Sequence, residues 1–280
     1  MKTRIYIFSF LVLPLVFLNF GCKKNTSDDV PTNNYIKTSI QYKTVAGVPA
    51  TLLSLDVYSY AQNESSKPVI IWVHGGGWRI GDKSNKLDNK LNLFNSLNYV
   101  LISVNYRLSP DPPEISNISR IKYPDHNNDV ADAVKWVRNN IAAYGGDASK
   151  MVLLGHSAGA HLVSLTGTSQ QFLPPGGFLL SMLKGIASID TEGYDVPSQS
   201  AEELYQNAFG TDNNIQMQAS PIYNVSSSFS YPGFFIAKRG TPARIALADA
   251  FIYKLRSVGV PVSQVNGSQY DHEGINVAIG

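Results

Sequence analysis

The chain has one cysteine among 280 residues, Cys22, so no disulfide can form within it. It has little net charge. Its 23 Lys and Arg against 21 Asp and Glu leave +2 at pH 7. There is no basic stripe and no RNP-like motif, which excludes the usual electrostatic footprint of a nucleic-acid binder. There is no internal repeat and no low-complexity tract. Histidine is scarce, at five residues. His126 with Asp125 and Asp129 has ligand chemistry, but helix capping and core contacts account for those side chains better. No metal and no cofactor is therefore expected. Apolar residues nevertheless make up 44% of the chain, ample for the core of a sheet covered on both faces.

One long apolar run stands apart, from Ile5 to Phe20, interrupted by Ser9, Pro14 and Asn19. The basic Met1-Lys2-Thr3-Arg4 precedes it, and Gly21-Cys22 follows. Residues 1–21 read as a secretory signal peptide, a little short for a full membrane span. A lone cysteine after such a run, preceded by a small residue, resembles a bacterial lipobox, with Asn19 and Phe20 off the usual pattern. Lipidation is expected at Cys22. Residues 22–34 would then be a disordered polar tether, and 35–280 the folded domain. The expected location is the cell envelope, periplasmic or at the surface, with the membrane reached through the lipid.

Within the domain, 40–45 and 53–58 alternate apolar and polar, and Gly47-Val48-Pro49 supplies a turn between them. These predict antiparallel edge strands. Continuous apolar runs at 69–73, 100–104, 151–154, 184–189 and 233–237 predict buried strands, and 260–265 a last one. Helices are predicted between them, at 85–97, 129–143, 201–209 and 242–258, the last with Ile245, Ala248, Ile252 and Leu255 inward. Residues 109–124 read as a Pro-rich surface loop, and 211–230 as an irregular stretch suited to a cap. Alternating strands and helices argue α/β class, a mostly parallel twisted sheet with helices on both faces. Ligands in such sheets gather at the carboxyl ends of the strands.

Three stretches carry chemistry. Gly155-His156-Ser157-Ala158-Gly159 lies between the strand at 151–154 and an apolar helix. A turn that tight strains Ser157 and lifts its hydroxyl above the sheet. His74-Gly75-Gly76-Gly77-Trp78 follows another strand. Three glycines in a row cost backbone entropy; they make sense where N–H groups must approach a developing anion. His272 follows the last strand on a polar loop and is the histidine downstream of the nucleophile's own helix. It is the expected base. His156 and His161 flank the serine as structural neighbours.

In this order, HGGGW, Gly81-Asp82-Lys83, Val104-Asn105-Tyr106-Arg107-Leu108, Tyr144-Gly145-Gly146-Asp147 and GHSAGAHL resemble the α/β-hydrolases. The likeness is to their HGGG-type esterases, related to the hormone-sensitive-lipase and feruloyl/acetyl-xylan-esterase families. It covers roughly 35–276. It implies acyl transfer with Ser157 as nucleophile and His272 as base, and an oxyanion hole from the N–H groups of Gly75, Gly76 and Ala158. The implied substrate is a small or medium acyl ester, small-molecule or carbohydrate, including acetyl or feruloyl groups on polysaccharides. An arylformamidase-like amide hydrolase is a near neighbour. A binding protein with a decayed site is the alternative from another class.

The resemblance breaks at the third residue. The family's acid usually follows the strand that here is 234–237, and Lys238 to Ala243 holds no carboxylate. Its cations would oppose a developing imidazolium. In some α/β-hydrolases the acid comes from the preceding strand end, which makes Asp190 the candidate; Glu192, Asp195 and Asp249 are alternatives. The family also has a helix after the histidine loop. Here 274–280 allow about one or two turns, which would expose one sheet face or loosen His272. Oligomeric state is not legible.

Overall fold

The computed structural model describes residues 35–60, 65–173, 180 and 183–280. Cys22, the signal-peptide stretch and the tether lie outside the described residues.

The buried apolar runs become the middle of one sheet. β3 (Lys67–Val73) and β4 (Val100–Val104) are buried almost throughout, as strands with helices on both faces must be. With β1 (Tyr35–Gln41), β2 (Ser54–Tyr60), β5 (Gly146–His156), β6 (Gly185–Ile189), β7 (Gly233–Lys238) and β8 (Val262–Asn266), they lie in the order β1-β2-β4-β3-β5-β6-β7-β8. β1–β2 and β2–β4 pair antiparallel. From β4 to β8 the pairing is parallel. The fold class is as expected. The first strand lies earlier than its expected 40–45. Tyr42 and Lys43 leave the sheet because their side chains turn inward: Tyr42 Oη donates to the Asn105 carbonyl at 2.8 Å and Lys43 Nζ reaches Asp129 at 2.9 Å.

The chain steps from β3 to β4 on one side, then returns to β5 on the other. The carboxyl ends of β3 and β5 therefore flank a crevice where strand order reverses.

α2 (Asp125–Asn140), α3 (Ala158–Thr168) and α7 (Pro242–Ser257) cover one face; α1 (Asp88–Ser96) and α8 (His272–Val277) pack on the other. α2 starts four residues before its expected 129, because its first turn is buried through polar His126 and Asn127 rather than through apolar side chains. On α7, Phe251 is fully buried and stacks on Tyr194 with ring centres 4.6 Å apart, whereas Ile245 is only half-buried. The stretch expected to be irregular holds α5 (Asn213–Gln218) and α6 (Pro221–Asn224), after α4 (Glu203–Phe209). Asp212 caps α5 by accepting from the N–H of Asn214 and Ile215.

The chain after His272 is neither loose nor a bare loop. It forms α8, whose Ile275 is buried. Lys90 of α1 grips it: Nζ donates to the Asn276 carbonyl at 3.0 Å, to Asn276 Oδ1 at 2.9 Å and to the Lys86 carbonyl at 3.0 Å. The ammonium also lies 4.3 Å from the Trp72 ring centre. All three donors are used, and burial lowers the amine to about 8. By contrast β8, the sheet's last strand, is largely exposed. Among the described residues no helix is long and apolar enough to cross a membrane.

Candidate active site

Ser157 sits between β5 and α3 with φ 55° and ψ −121°, a conformation L-residues rarely adopt. The flanking glycines make that turn sterically feasible. A Cβ on Gly155 would lie 2.3 Å from the Gly159 carbonyl oxygen, and one on Gly159 would lie 2.1 Å from that of Val73. The Ser157 N–H donates to the Ile189 carbonyl at 2.9 Å, tying the turn to the end of β6.

His272 is the first residue of α8, not a loop residue as expected. Asp271 caps that helix by accepting from the Gly274 N–H at 2.5 Å. His272 Nε2 lies 3.0 Å from Ser157 Oγ, and Nδ1 lies 2.6 Å from Asp190 Oδ2. A carboxylate can only accept, so Nδ1 carries the proton and Nε2 faces the serine as acceptor.

Asp190 follows the last residue of β6 and has φ 55°, a region Asp enters more readily than most residues. Its side chain is 1% exposed. Burial works to raise the carboxyl. The bond from His272 and the charge and bonds of Arg244 outweigh it and hold the group below the usual carboxylate range. Arg244 donates to Oδ1 from Nη2 at 2.8 Å and from Nε at 3.0 Å, and Arg239 Nε donates to Oδ2. Of the two cations in 238–243 that the sequence set against the imidazole, Arg239 faces the carboxylate instead, and Lys238 turns to Asp249. Of the alternatives, Glu192 pairs with Arg244 and Asp249 with Lys238. Asp195 Oδ1 is buried without a partner.

The oxyanion candidates lie against the serine. A Cβ on Gly75 would stand 3.0 Å from Ser157 Cβ, and one on Gly76, at φ +112°, would stand 2.0 Å from the Ile80 carbonyl oxygen. Among the described residues, no protein group takes the N–H of Gly75, Gly76 or Ala158. The neighbouring motifs brace this loop. Tyr106 stacks on His74 at 4.6 Å and donates to its carbonyl at 3.1 Å. Asn105 Nδ2 donates to Asp82 at 2.8 Å, and Lys83 Nζ to buried Asp56 at 2.5 Å.

A pocket beside Ser157 is lined by Gly77, Trp78, Ala158, Thr191, Glu192, Leu204 and Tyr205. Trp78 Nε1 donates to His161 Nδ1 at 3.2 Å, so the opposite nitrogen donates to the Ala219 carbonyl at 2.8 Å. Burial lowers His161 to about 4, keeping it the neutral acceptor that Trp78 needs. This chain of contacts joins the glycine loop, α3 and the α4–α6 segment. His156 Nε2 donates to the His272 carbonyl at 2.9 Å. Burial and then the charge of His272 lower it to about 4.

The ligand-like trio at the start of α2 is otherwise engaged. His126 Nε2 meets Ser109 Oγ at 3.0 Å, and Asp129 takes Arg107 at 2.6 Å and Lys43 at 2.9 Å. His156, Asp190 and His272 offer ligand atoms within 4.8 Å of one another. Two arginines on Asp190 make that set hostile to a resident cation. The sequence alone did not bring out Arg244 or the pocket wall of Leu204 and Tyr205, and it set Arg239 against the wrong partner. The available signal was Arg239 in the stretch where the family keeps its acid, with Arg244 one residue beyond it.

The family model BD-FAE matches residues 55–174. The chain is 36% identical over 208 residues to the probable carboxylic ester hydrolase LipM of Mycobacterium tuberculosis, covering 68% of this chain and 45% of that protein. It is 39% identical over 102 residues to esterase LipQ of the same organism, covering 36% and 22%. The chain thus spans less than half the length of either relative. Among solved structures, esterase B from Lactobacillus rhamnosis superposes with TM-score 0.67 at 19% identity, covering 83% of this chain and 74% of that one. A truncated carbohydrate esterase from gut microbiota gives 0.65 at 16%, covering 88% and 92%. With this sheet order, the serine turn after β5 and the glycine loop after β3, the chain has the α/β-hydrolase fold and is similar, motif by motif, to the HGGG-type esterases and lipases.

Proposed function

We propose that the chain is a serine carboxylesterase acting on small or medium acyl esters. The observation that carries this reading is the continuous contact from Ser157 Oγ through the His272 ring to Asp190. Ser157 Oγ attacks the ester carbonyl carbon as His272 Nε2 takes its proton. The carbonyl oxygen, now anionic, is held by the N–H groups of Gly75, Gly76 and Ala158. Collapse breaks the ester C–O bond, and the imidazolium returns the proton to the leaving alcohol. Water, deprotonated by the same nitrogen, then releases the acid from the acyl-serine.

Short acyl groups suit the pocket, because Trp78, Leu204 and Tyr205 close it and Gly77 already abuts Leu204. Thr191 and Glu192 on its wall suit a hydroxylated substrate, and the BD-FAE match and the carbohydrate-esterase neighbour support esters of plant polysaccharides within this reading. An exported, lipid-anchored chain is part of the reading and is supported by residues 1–34 alone.

The test is hydrolysis of p-nitrophenyl esters of increasing acyl length, methyl ferulate and acetylated xylan, with fluorophosphonate labelling alongside. Turnover and labelling are expected, and both should vanish in folded Ser157→Ala. Wild-type turnover in that variant would end the serine-hydrolase reading.

A further inference from the structure

The end of β7 has no carboxylate, yet it is not idle. Lys238 pairs with Asp249 on the surface, and the next residue, Arg239, turns back onto Asp190. Arg239 binds through Nε to Oδ2, the same oxygen that accepts from His272 Nδ1. Arg244, on the first turn of α7, takes Oδ1 through Nε and Nη2, and its Nη2 also donates to the Asp190 carbonyl at 3.1 Å. Its Nη1 meets Glu192. Two cations and two anions therefore form a neutral cluster directly behind the imidazole.

We propose that Arg239 and Arg244 are positioning residues of the active site: they keep the buried β6 carboxylate ionised and aim its Oδ2 at His272. This deepens the serine-esterase reading and rests on it. The physical need is plain. A buried carboxyl without cations tends towards its neutral form. Protonated at Oδ2, it no longer offers the lone pair that the Nδ1–H requires. A β6 acid held at φ 55° thus functions because β7 and α7 supply the positive charge. Residues that the motif comparison scores as a lost acid are the support for a relocated one.

The other groups around Asp190 do not substitute for them. His156, at the end of β5, is buried and donates to the His272 carbonyl. Glu273 on α8 pairs with Lys86, and Tyr194 shares a hydrogen bond with Ser188. None of these brings a free positive charge to the carboxylate.

The experiment compares Arg239→Gln, Arg244→Gln and Arg239→Lys with wild type. Either Gln variant should lose about tenfold or more in kcat with KM within about twofold. The acid limb of its kcat/KM profile should move to higher pH, because Asp190 then protonates more readily. Arg239→Lys keeps the charge and should restore the limb. Equal losses in all three variants with an unmoved limb would mean a purely structural role and overturn the proposal. A readout free of turnover separates this from failure of the esterase reading. The low-field proton resonance of the His272 Nδ1–H bond should persist to low pH in wild type and disappear at higher pH in the Gln variants. If it behaves identically in wild type and the Gln variants, the proposal is wrong, whatever the protein hydrolyses. Should one Gln variant fail to fold, the other and the Lys variant decide.

Discussion

Replacing Asp190 by Asn changes one atom, and the structure allows its cost to be worked out. The carboxylate is 1% exposed and 2.6 Å from His272 Nδ1. Two unit charges at about 4 Å attract by about 4 kcal/mol at an effective dielectric of 20. Two features reduce this. The His272 side chain is 39% exposed, and two guanidiniums oppose the carboxylate's pull. Taking half leaves about 2 kcal/mol, between one and two orders of magnitude in rate. A second effect adds to it. An amide NH₂ facing Nδ1 favours the tautomer with its proton on Nε2, where it cannot accept from the serine; the equivalent change in chymotrypsin-type proteases costs about four orders of magnitude. Turnover of Asp190→Asn should therefore fall by about two to four orders, with KM nearly unchanged. Stability should fall as well, because Arg239 and Arg244 lose their counter-ion, at about 3–5 kcal/mol. The assay is kcat and KM on p-nitrophenyl butyrate, below the melting point found by circular dichroism. Turnover within about threefold of wild type in a folded variant would refute the reasoning. Glu192→Gln and Asp249→Asn should be mild, since neither reaches the imidazole.

Gly76→Ala drives a methyl into the Ile80 carbonyl and should cost about 3 kcal/mol of barrier, read as kcat/KM. Gly47→Ala, at φ +76° with open space around it, should cost only about 1 kcal/mol in a melt and leave turnover alone. Buried neutral histidines predict acid sensitivity: burial lowers His126 to about 3 and His161 to about 4, from an ordinary 6.5. The unfolded chain binds these protons first, so their contribution is full above about pH 6.5 and is lost as pH falls from there towards 4 and then 3. Melting temperature should drop over that window, and less so in His161→Gln. Cys22→Ser should move the protein from the detergent phase to the aqueous phase. Equal partitioning of both forms would exclude lipidation.

Most of the architecture was legible because buried parallel strands read as uninterrupted apolar runs, and Val100 to Val104 is bounded to the residue. The start of α2 was not, because His126, Asn127 and Asp129 enter the core through hydrogen bonds and an ion pair. Periodicity registers hydrophobicity, not satisfied polarity. Ser157 and the glycine loop were legible since backbone geometry demands particular residues there. Asp190 was one candidate among four, because partners that far apart in sequence meet only through the sheet order. Arg239 was misread for a related reason: its sign was visible, but whether it faced the imidazole or the carboxylate is a matter of β7's register with β6.

The three working side chains do not share one anchorage. Ser157 and Asp190 leave strands in the middle of the sheet, whereas His272 follows β8, an outer strand that is exposed along most of its length. Segments with little buried contact open locally at a fraction of the free energy of global unfolding. His272 is therefore expected to be the first of the three to leave its place, with Ser157 and Asp190 still held by the sheet. Held by Lys90 and by Ile275, α8 would then act as a fuse: activity should fall at lower denaturant than the far-ultraviolet circular dichroism of the core, and coincident transitions would refute this.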